Sequence, residues 1–135
     1  MTTTADHTAL VDSVLKRFGR EPDLTLWRNS RVRMVRGQAR AMPGLQTGAS
    51  DIIGMLAVPV YAWPDNGADV SIGARSPVCI ARFCAFEAKT GNARPTKLQR
   101  LFIANVRRHG GFACVFHSVE EFEAALERAR GGGCE

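Results

Sequence analysis

The chain has 135 residues, 45% of them hydrophobic and 23% charged, enough for one domain with its own core and ordinary for a globular protein. A formal charge of +5 points to an anionic partner, nucleic acid before others. The longest apolar run, residues 52–63, is interrupted by Pro59 and too short to cross a bilayer, and Asp6 and His7 stand where a secretory signal would carry positive charge and apolar residues. A cytoplasmic protein with no membrane segment is therefore expected. The four cysteines form no C-x-x-C pair and no histidine lies at finger spacing, so no zinc site is expected. Cys79, Cys84 and Cys114 sit in apolar runs and read as buried thiols, whereas Cys134 lies in a glycine-rich tail.

Residues 6–18 predict a short amphipathic helix with Leu10, Val11, Val14, Leu15 and Phe18 as its apolar stripe, capped by Thr4 or Asp6. Residues 24–28 read as a strand. Arg28, Arg31, Arg33, Arg36 and Arg40 follow with no acid among them, a basic loop that suits either solvent or phosphates. Gly44 and Gly48 flank a polar loop leading to a second strand, 50–56, with Asp51 at its entrance. Residues 57–77 hold Pro59, Pro64, Asn66-Gly67, Gly73 and Pro77, punctuation that predicts a hairpin or long loop inserted between two central strands.

Residues 79–89 form the third strand. Alternation puts Glu87 and Lys89 on one face with Ala81, Phe83 and Ala85, and Ile80, Cys84, Phe86 and Ala88 on the other, so the strand should be covered on both sides. A turn at 90–92 leads to a helix from about 96 to 109, with Leu98, Leu101, Phe102 and Val106 inward. Thr96-Lys97-Leu98-Gln99 fits a capping box, and Gly110-Gly111 ends the helix. Residues 112–116 read as a buried strand. Ser118-Val119-Glu120-Glu121 is a second capping box, opening a last helix that runs to Arg130. No repeat or linker divides residues 1–135, which read as a single domain of mixed α/β (α+β) class.

The charged end of the third strand is the feature that needs explaining. Taken alone, Glu87-x-Lys89 reads as a pair of charges where a strand frays into a turn. Buried without compensation, such charges cost several kcal/mol or more, about what a whole domain has to spare. If the second and third strands pair antiparallel across the insertion, the start of one lies beside the end of the other, and Asp51 converges on Glu87. Two carboxylates with free oxygens suit a hard cation such as Mg²⁺ or Mn²⁺, which can activate water and stabilise charge on a phosphoryl oxygen. Lys89 would orient that water or offset the anionic transition state.

Gly48-x-x-Asp51, Glu87-x-Lys89 and Gln99 in the following helix together resemble the PD-(D/E)xK nuclease superfamily, and within it the VRR-NUC (virus-type replication-repair nuclease) family. The likeness covers nearly the whole chain, because that fold's restriction-endonuclease-like core runs αβββαβ as a mixed sheet flanked by helices. The resemblance implies Asp51, Glu87 and the backbone carbonyl of Ala88 as the metal's protein ligands, Lys89 as the catalytic lysine, and Gln99 as a glutamine reaching back to the site. Ser50 stands where the superfamily's name has proline. The family often places a glutamate in the first helix to support a metal; this chain offers Asp6 and Asp12 there. The resemblance further implies a Mg²⁺- or Mn²⁺-dependent endonuclease acting as a homodimer on structured DNA such as four-way junctions, in replication, repair or recombination, with no small-molecule cofactor.

Positive charge falls on both sides of the proposed site: Arg31, Arg33 and Arg36 before it, and Arg94, Lys97 and Arg100 with Arg107 and Arg108 after it, while the final helix carries Glu120, Glu121, Glu123 and Glu127. The first six are the expected nucleic-acid contacts, made to phosphates and shape rather than bases, since aromatic residues are few and core-like. Two alternatives stand beside this reading: a nucleic-acid-binding module without catalysis, and a nuclease acting on single strands or RNA.

Overall fold

The computed structural model describes residues 4–29, 32–41, 45–61 and 77–133. In chain order the elements are α1 (Thr4–Phe18), β1 (Leu24–Arg28), β2 (Val32–Val35), β3 (Gln38–Ala41), β4 (Ile52–Tyr61), β5 (Pro77–Ala88), α2 (Lys97–Arg108), β6 (Phe112–Phe116) and α3 (Val119–Arg130). Four strands make one mixed sheet in the order β1-β4-β5-β6. The first two pairings are antiparallel and β5–β6 is parallel, with α2 as the crossover a parallel pair requires. The expected order of helix, three strands, helix and strand is therefore present, with a two-stranded ribbon, β2–β3, set between β1 and β4.

That ribbon replaces the basic loop expected from sequence. Its turn is Arg36-Gly37, both residues left-handed (φ 51° and 75°), the backbone a tight two-residue hairpin needs to match the twist of its strands. Glycine accepts this conformation freely and arginine does so at some cost. The predicted insertion is partly regular: its two ends extend the β4–β5 ladder from Ala57↔Ala81 to Tyr61↔Pro77, and residues 62–76 lie outside the described residues. Pro59 is tolerated because β1 pairs with β4 only as far as Leu56, leaving β4 an edge strand there.

The two faces of the sheet are covered unequally. On one, Ile52, Leu56, Phe86, Phe112 and Phe116 pack against Val11, Val14 and Phe18 of α1 and Phe122, Leu126 and Ala129 of α3. Phe122 is the hub, its ring 4.6 Å from Phe86, 5.1 Å from Phe18 and 5.3 Å from Phe116 between centroids. On the other, the buried Ala85 and Ala113, with Ala49 and Val115 at the margin, meet Phe102, Ile103 and Val106 of α2. Leu98 and Leu101, expected inward, are 50% and 56% exposed. The sheet offers α2 a narrow strip, two buried alanines edged by Val115, which a single stripe of side chains fills. Coverage of β5 on both sides is likewise confined to residues 84–88: Ile80 and Phe83 are exposed, and so is Cys79, expected buried, because β6 pairs only with that last stretch.

The capping box of α2 is complete, with Thr96 Oγ1 accepting from the Gln99 N–H at 3.2 Å and Gln99 Oε1 from the Thr96 N–H at 2.8 Å. That of α3 is half formed. Ser118 Oγ accepts from the Glu121 N–H at 3.1 Å, but the Glu121 carboxylate turns instead to the His117 N–H at 2.7 Å. Helix α1 already includes Thr4 and Asp6, so neither is its cap. Among the described residues no helix is long and apolar enough to cross a membrane.

Candidate functional site

The register of the central hairpin decides where the charged residues meet. Ile52 pairs with Phe86 at the end of the β4–β5 ladder, so Asp51, one residue before β4, stands opposite Glu87, one residue further along β5. The loop delivering Asp51 is fixed at both sides. Gly48 is left-handed (φ 91°), and a Cβ there would lie 2.5 Å from the Leu98 Cβ in the first turn of α2, so only glycine lets this loop lie on that helix. Asn29, just past β1, donates from Nδ2 to the Ser50 carbonyl at 2.9 Å and from its N–H to the Asp51 carbonyl at 2.8 Å. Ser50 is fully buried, and its hydroxyl has no hydrogen-bond partner among the described residues.

Asp51 is half-buried, and its Oδ2 accepts from the Ala88 N–H at 3.0 Å, which ties the carboxylate to the end of β5. Glu87 is 0% exposed. Its Oε1 accepts from Lys89 Nζ at 2.6 Å and also from Gln99 Nε2, while its Oε2 is buried with no hydrogen-bond partner among the described residues. Burial pushes the Glu87 carboxyl up from 4.5 to about 7; the Lys89 ammonium pulls against this rise and the Asp51 charge adds to it. Lys89 is itself largely buried, and its N–H donates to the Phe116 carbonyl at 2.9 Å, carrying the β5–β6 ladder one step past Ala88.

Gln99 was read from sequence as either a local cap or a residue of the site. It is both. Its amide oxygen holds the Thr96 N–H and its nitrogen holds Glu87, an orientation fixed by having a donor on one side and an acceptor on the other.

The first helix contributes a residue that sequence reasoning passed over. His7 Nε2 lies 3.2 Å from Asp51 Oδ2 and 3.2 Å from the Ala88 carbonyl oxygen. Asp12, weighed for such a role, is instead paired with Arg28 in the open, and Asp6 is exposed. A signal for His7 was present: residues 7, 11, 14 and 18 recur at helical spacing, and Val11, Val14 and Phe18 are the buried face of α1. His7 is the polar end of that stripe, where the helix reaches the end of the sheet.

The basic residues divide by position. Arg94, Lys97 and Arg100 are exposed at the start of α2 beside Gln99, and no acid lies in that helix's first turn. Arg107 and Arg108 lie at its far end, where Arg107 donates to the Ala113 carbonyl at 2.9 Å. Arg36 is exposed at the tip of the β2–β3 ribbon, with Arg33 and Arg40 cross-strand partners behind it; Arg31 lies outside the described residues. The ribbon leaves β1 at Arg28, whose partner in β4 is Ile52, so it springs from the end of the sheet that carries Asp51.

Among the described residues no three His, Cys, Asp or Glu side chains gather closely enough to hold a metal on their own. The donors that do converge are mixed: Asp51 Oδ2, the Ala88 carbonyl and His7 Nε2; Glu87, opposite Asp51 across the ladder, adds a buried Oε2 with no partner among the described residues. An oxygen-rich set with an orphaned carboxylate oxygen fits a hard divalent cation, which would offset both the burial of Glu87 and its repulsion from Asp51. No protein-family model matches this chain, and a search among curated proteins gives no match.

Proposed function

We propose that the protein is a metal-dependent endonuclease of the VRR-NUC type that hydrolyses phosphodiester bonds of structured or branched DNA, working as a homodimer so that two sites cut two strands. The observation that carries this reading is the meeting of Asp51, Glu87, Lys89 and Gln99 at one sheet end, with Glu87 fully buried and one of its oxygens unpartnered among the described residues. A structural ion pair alone accounts for Lys89 and Glu87, but not for a second carboxylate aimed at the same place. Asp51, Glu87 and the Ala88 carbonyl would hold Mg²⁺ or Mn²⁺. Such an ion, when bound, supplies Lewis-acid polarisation of the scissile phosphate and a water of lowered pKa.

The chain's own groups have distinct tasks. Lys89 places a cation where negative charge develops on the phosphate, already aimed by its bond to Glu87 at 2.6 Å. Gln99 holds the Glu87 carboxylate in register with α2, so the ligand does not swing when substrate arrives. Arg94, Lys97 and Arg100 ring the start of α2, whose free N–H groups and positive dipole end favour an anion there; Arg36, exposed at the tip of the ribbon, offers a further phosphate contact.

The test is cleavage of linear, flapped and four-way DNAs with Mg²⁺ or Mn²⁺ against excess chelator. Cleavage should require the metal. Asp51→Ala and Glu87→Ala should abolish it, and Lys89→Ala should slow it roughly a hundred- to thousandfold. Metal-free DNA binding should survive all three substitutions. Variants that melt like the parent and cut at its rate would sink the proposal.

A further inference from the structure

We propose that His7 is a direct nitrogen ligand of the divalent cation held at Asp51 and the Ala88 carbonyl, and that it turns the site's preference from Mg²⁺ toward Mn²⁺. The inference rests on the metal-dependent reading above and adds a donor, from a different helix, that this reading does not need.

The geometry is the first argument. Donors bound at about 2.1 Å and at right angles stand about 3.0 Å from one another. His7 Nε2 lies 3.2 Å from both Asp51 Oδ2 and the Ala88 oxygen, close to the spacing of neighbouring ligands in one shell. Without a metal, one Nε2–H must be shared between two acceptors, each at the long limit for an N–H···O bond. That is a poor use of a proton and a good arrangement for a lone pair. Binding requires only the neutral tautomer that carries its proton on Nδ1.

Positioning is the second argument. His7 is set by the packed stripe of Val11, Val14 and Phe18 rather than by a mobile loop, while Asp12 of the same helix is engaged by Arg28. The third is independent of His7. Glu87, opposite Asp51 on the neighbouring strand, is fully buried with Oε2 unpartnered among the described residues, a polar atom in want of a cation one residue before the Ala88 carbonyl that His7 approaches.

The chemical consequence follows from the donor. Mg²⁺ takes oxygen ligands and keeps its waters, whereas an imidazole nitrogen favours first-row transition ions, of which Mn²⁺ stands nearest to Mg²⁺ in suiting carboxylate, carbonyl and water.

The experiment uses the full chain without a polyhistidine tag and without DNA. Mn²⁺ and Mg²⁺ affinities are measured by calorimetry, and the Mn²⁺-loaded protein is examined by pulsed electron paramagnetic resonance for coupling to ¹⁴N. The parent should show a directly bound imidazole nitrogen. His7→Gln should lose that coupling while keeping the parent's circular dichroism. Its Mn²⁺ affinity should fall by at least tenfold, roughly what loss of even an outer-shell partner costs, and its Mg²⁺ affinity should fall less. Mn²⁺ that binds the parent, is lost in Asp51→Ala and shows no nitrogen coupling would overturn the role of His7 and leave the nuclease reading standing. Nitrogen coupling that persists in His7→Gln would also overturn it, placing the ion on His109 or His117. Failure of the parent to bind either ion would remove both proposals.

Discussion

The two faces of the sheet solve opposite problems. The α1/α3 face is built from five phenylalanines and branched aliphatics around Phe122, whereas the α2 face has two alanines against one stripe of side chains and then, at its end, a buried acid, a lysine and an amide. The first face supplies the stability that lets the second be imperfect. A buried carboxylate with an unpartnered oxygen is tolerable only where the rest of the fold is held elsewhere.

The substitution with the largest expected effect tests that division directly. Phe122→Ala should cost about 3–5 kcal/mol, a large share of the total stability of a domain this size. Chemical denaturation should show the midpoint falling with an unchanged slope. A loss below about 1 kcal/mol would mean that the aromatic face is not what holds the sheet.

The intermediate effect lies in Glu87. Its folded-state pKa is raised from 4.5 to about 7, so the folded protein binds a proton here that the unfolded chain has already released. The stability this group contributes is complete below about pH 4.5 and is lost as pH rises through about 7. In excess chelator the parent should therefore melt progressively lower across that window, and Glu87→Gln should flatten the decline, gaining on the parent as pH rises. Saturating Mn²⁺ should restore the parent at high pH. Parallel pH profiles for the two proteins would show that the buried acid is not under strain.

How much of this was legible beforehand differs by residue. Asp51 and Glu87 could be brought together because an antiparallel pairing across the insertion fixes which ends coincide, a matter of strand period alone. The spacing of Gln99 from Thr96 marked it only as a cap, and the resemblance alone pointed it toward the site. His7 was marked only as the polar end of the 7, 11, 14 and 18 stripe, and only the packing of α1 shows which strand end it reaches. The β2–β3 ribbon was hidden by its arginines, which masked the alternation, and by a turn of Arg-Gly rather than Asn-Gly. Leu98 and Leu101 misled for a third reason: apolarity marks a residue as able to be buried, and the width of the opposing sheet decides whether it is.

The smallest effect separates helix start from site chemistry. Thr96→Ala removes the hydroxyl that caps α2 but keeps the backbone N–H that holds Gln99 Oε1. It should cost about 1 kcal/mol, a melting decrease of roughly 4 °C, and leave cleavage within a few-fold of the parent. A cleavage loss as deep as that of Lys89→Ala would mean that the cap, and not the amide, positions Glu87.

Because one side chain closes both the helix and the carboxylate, opening either opens the other. When the first turn of α2 frays, Thr96 loses its acceptor and Glu87 loses a donor in the same event, leaving Lys89 as its tether. Deuterium uptake at the backbone amides of Thr96 and Gln99 then becomes a clock for the carboxylate. A phosphate settling on the exposed start of α2 slows that clock, so an anion held at the helix stiffens an acid buried beneath it.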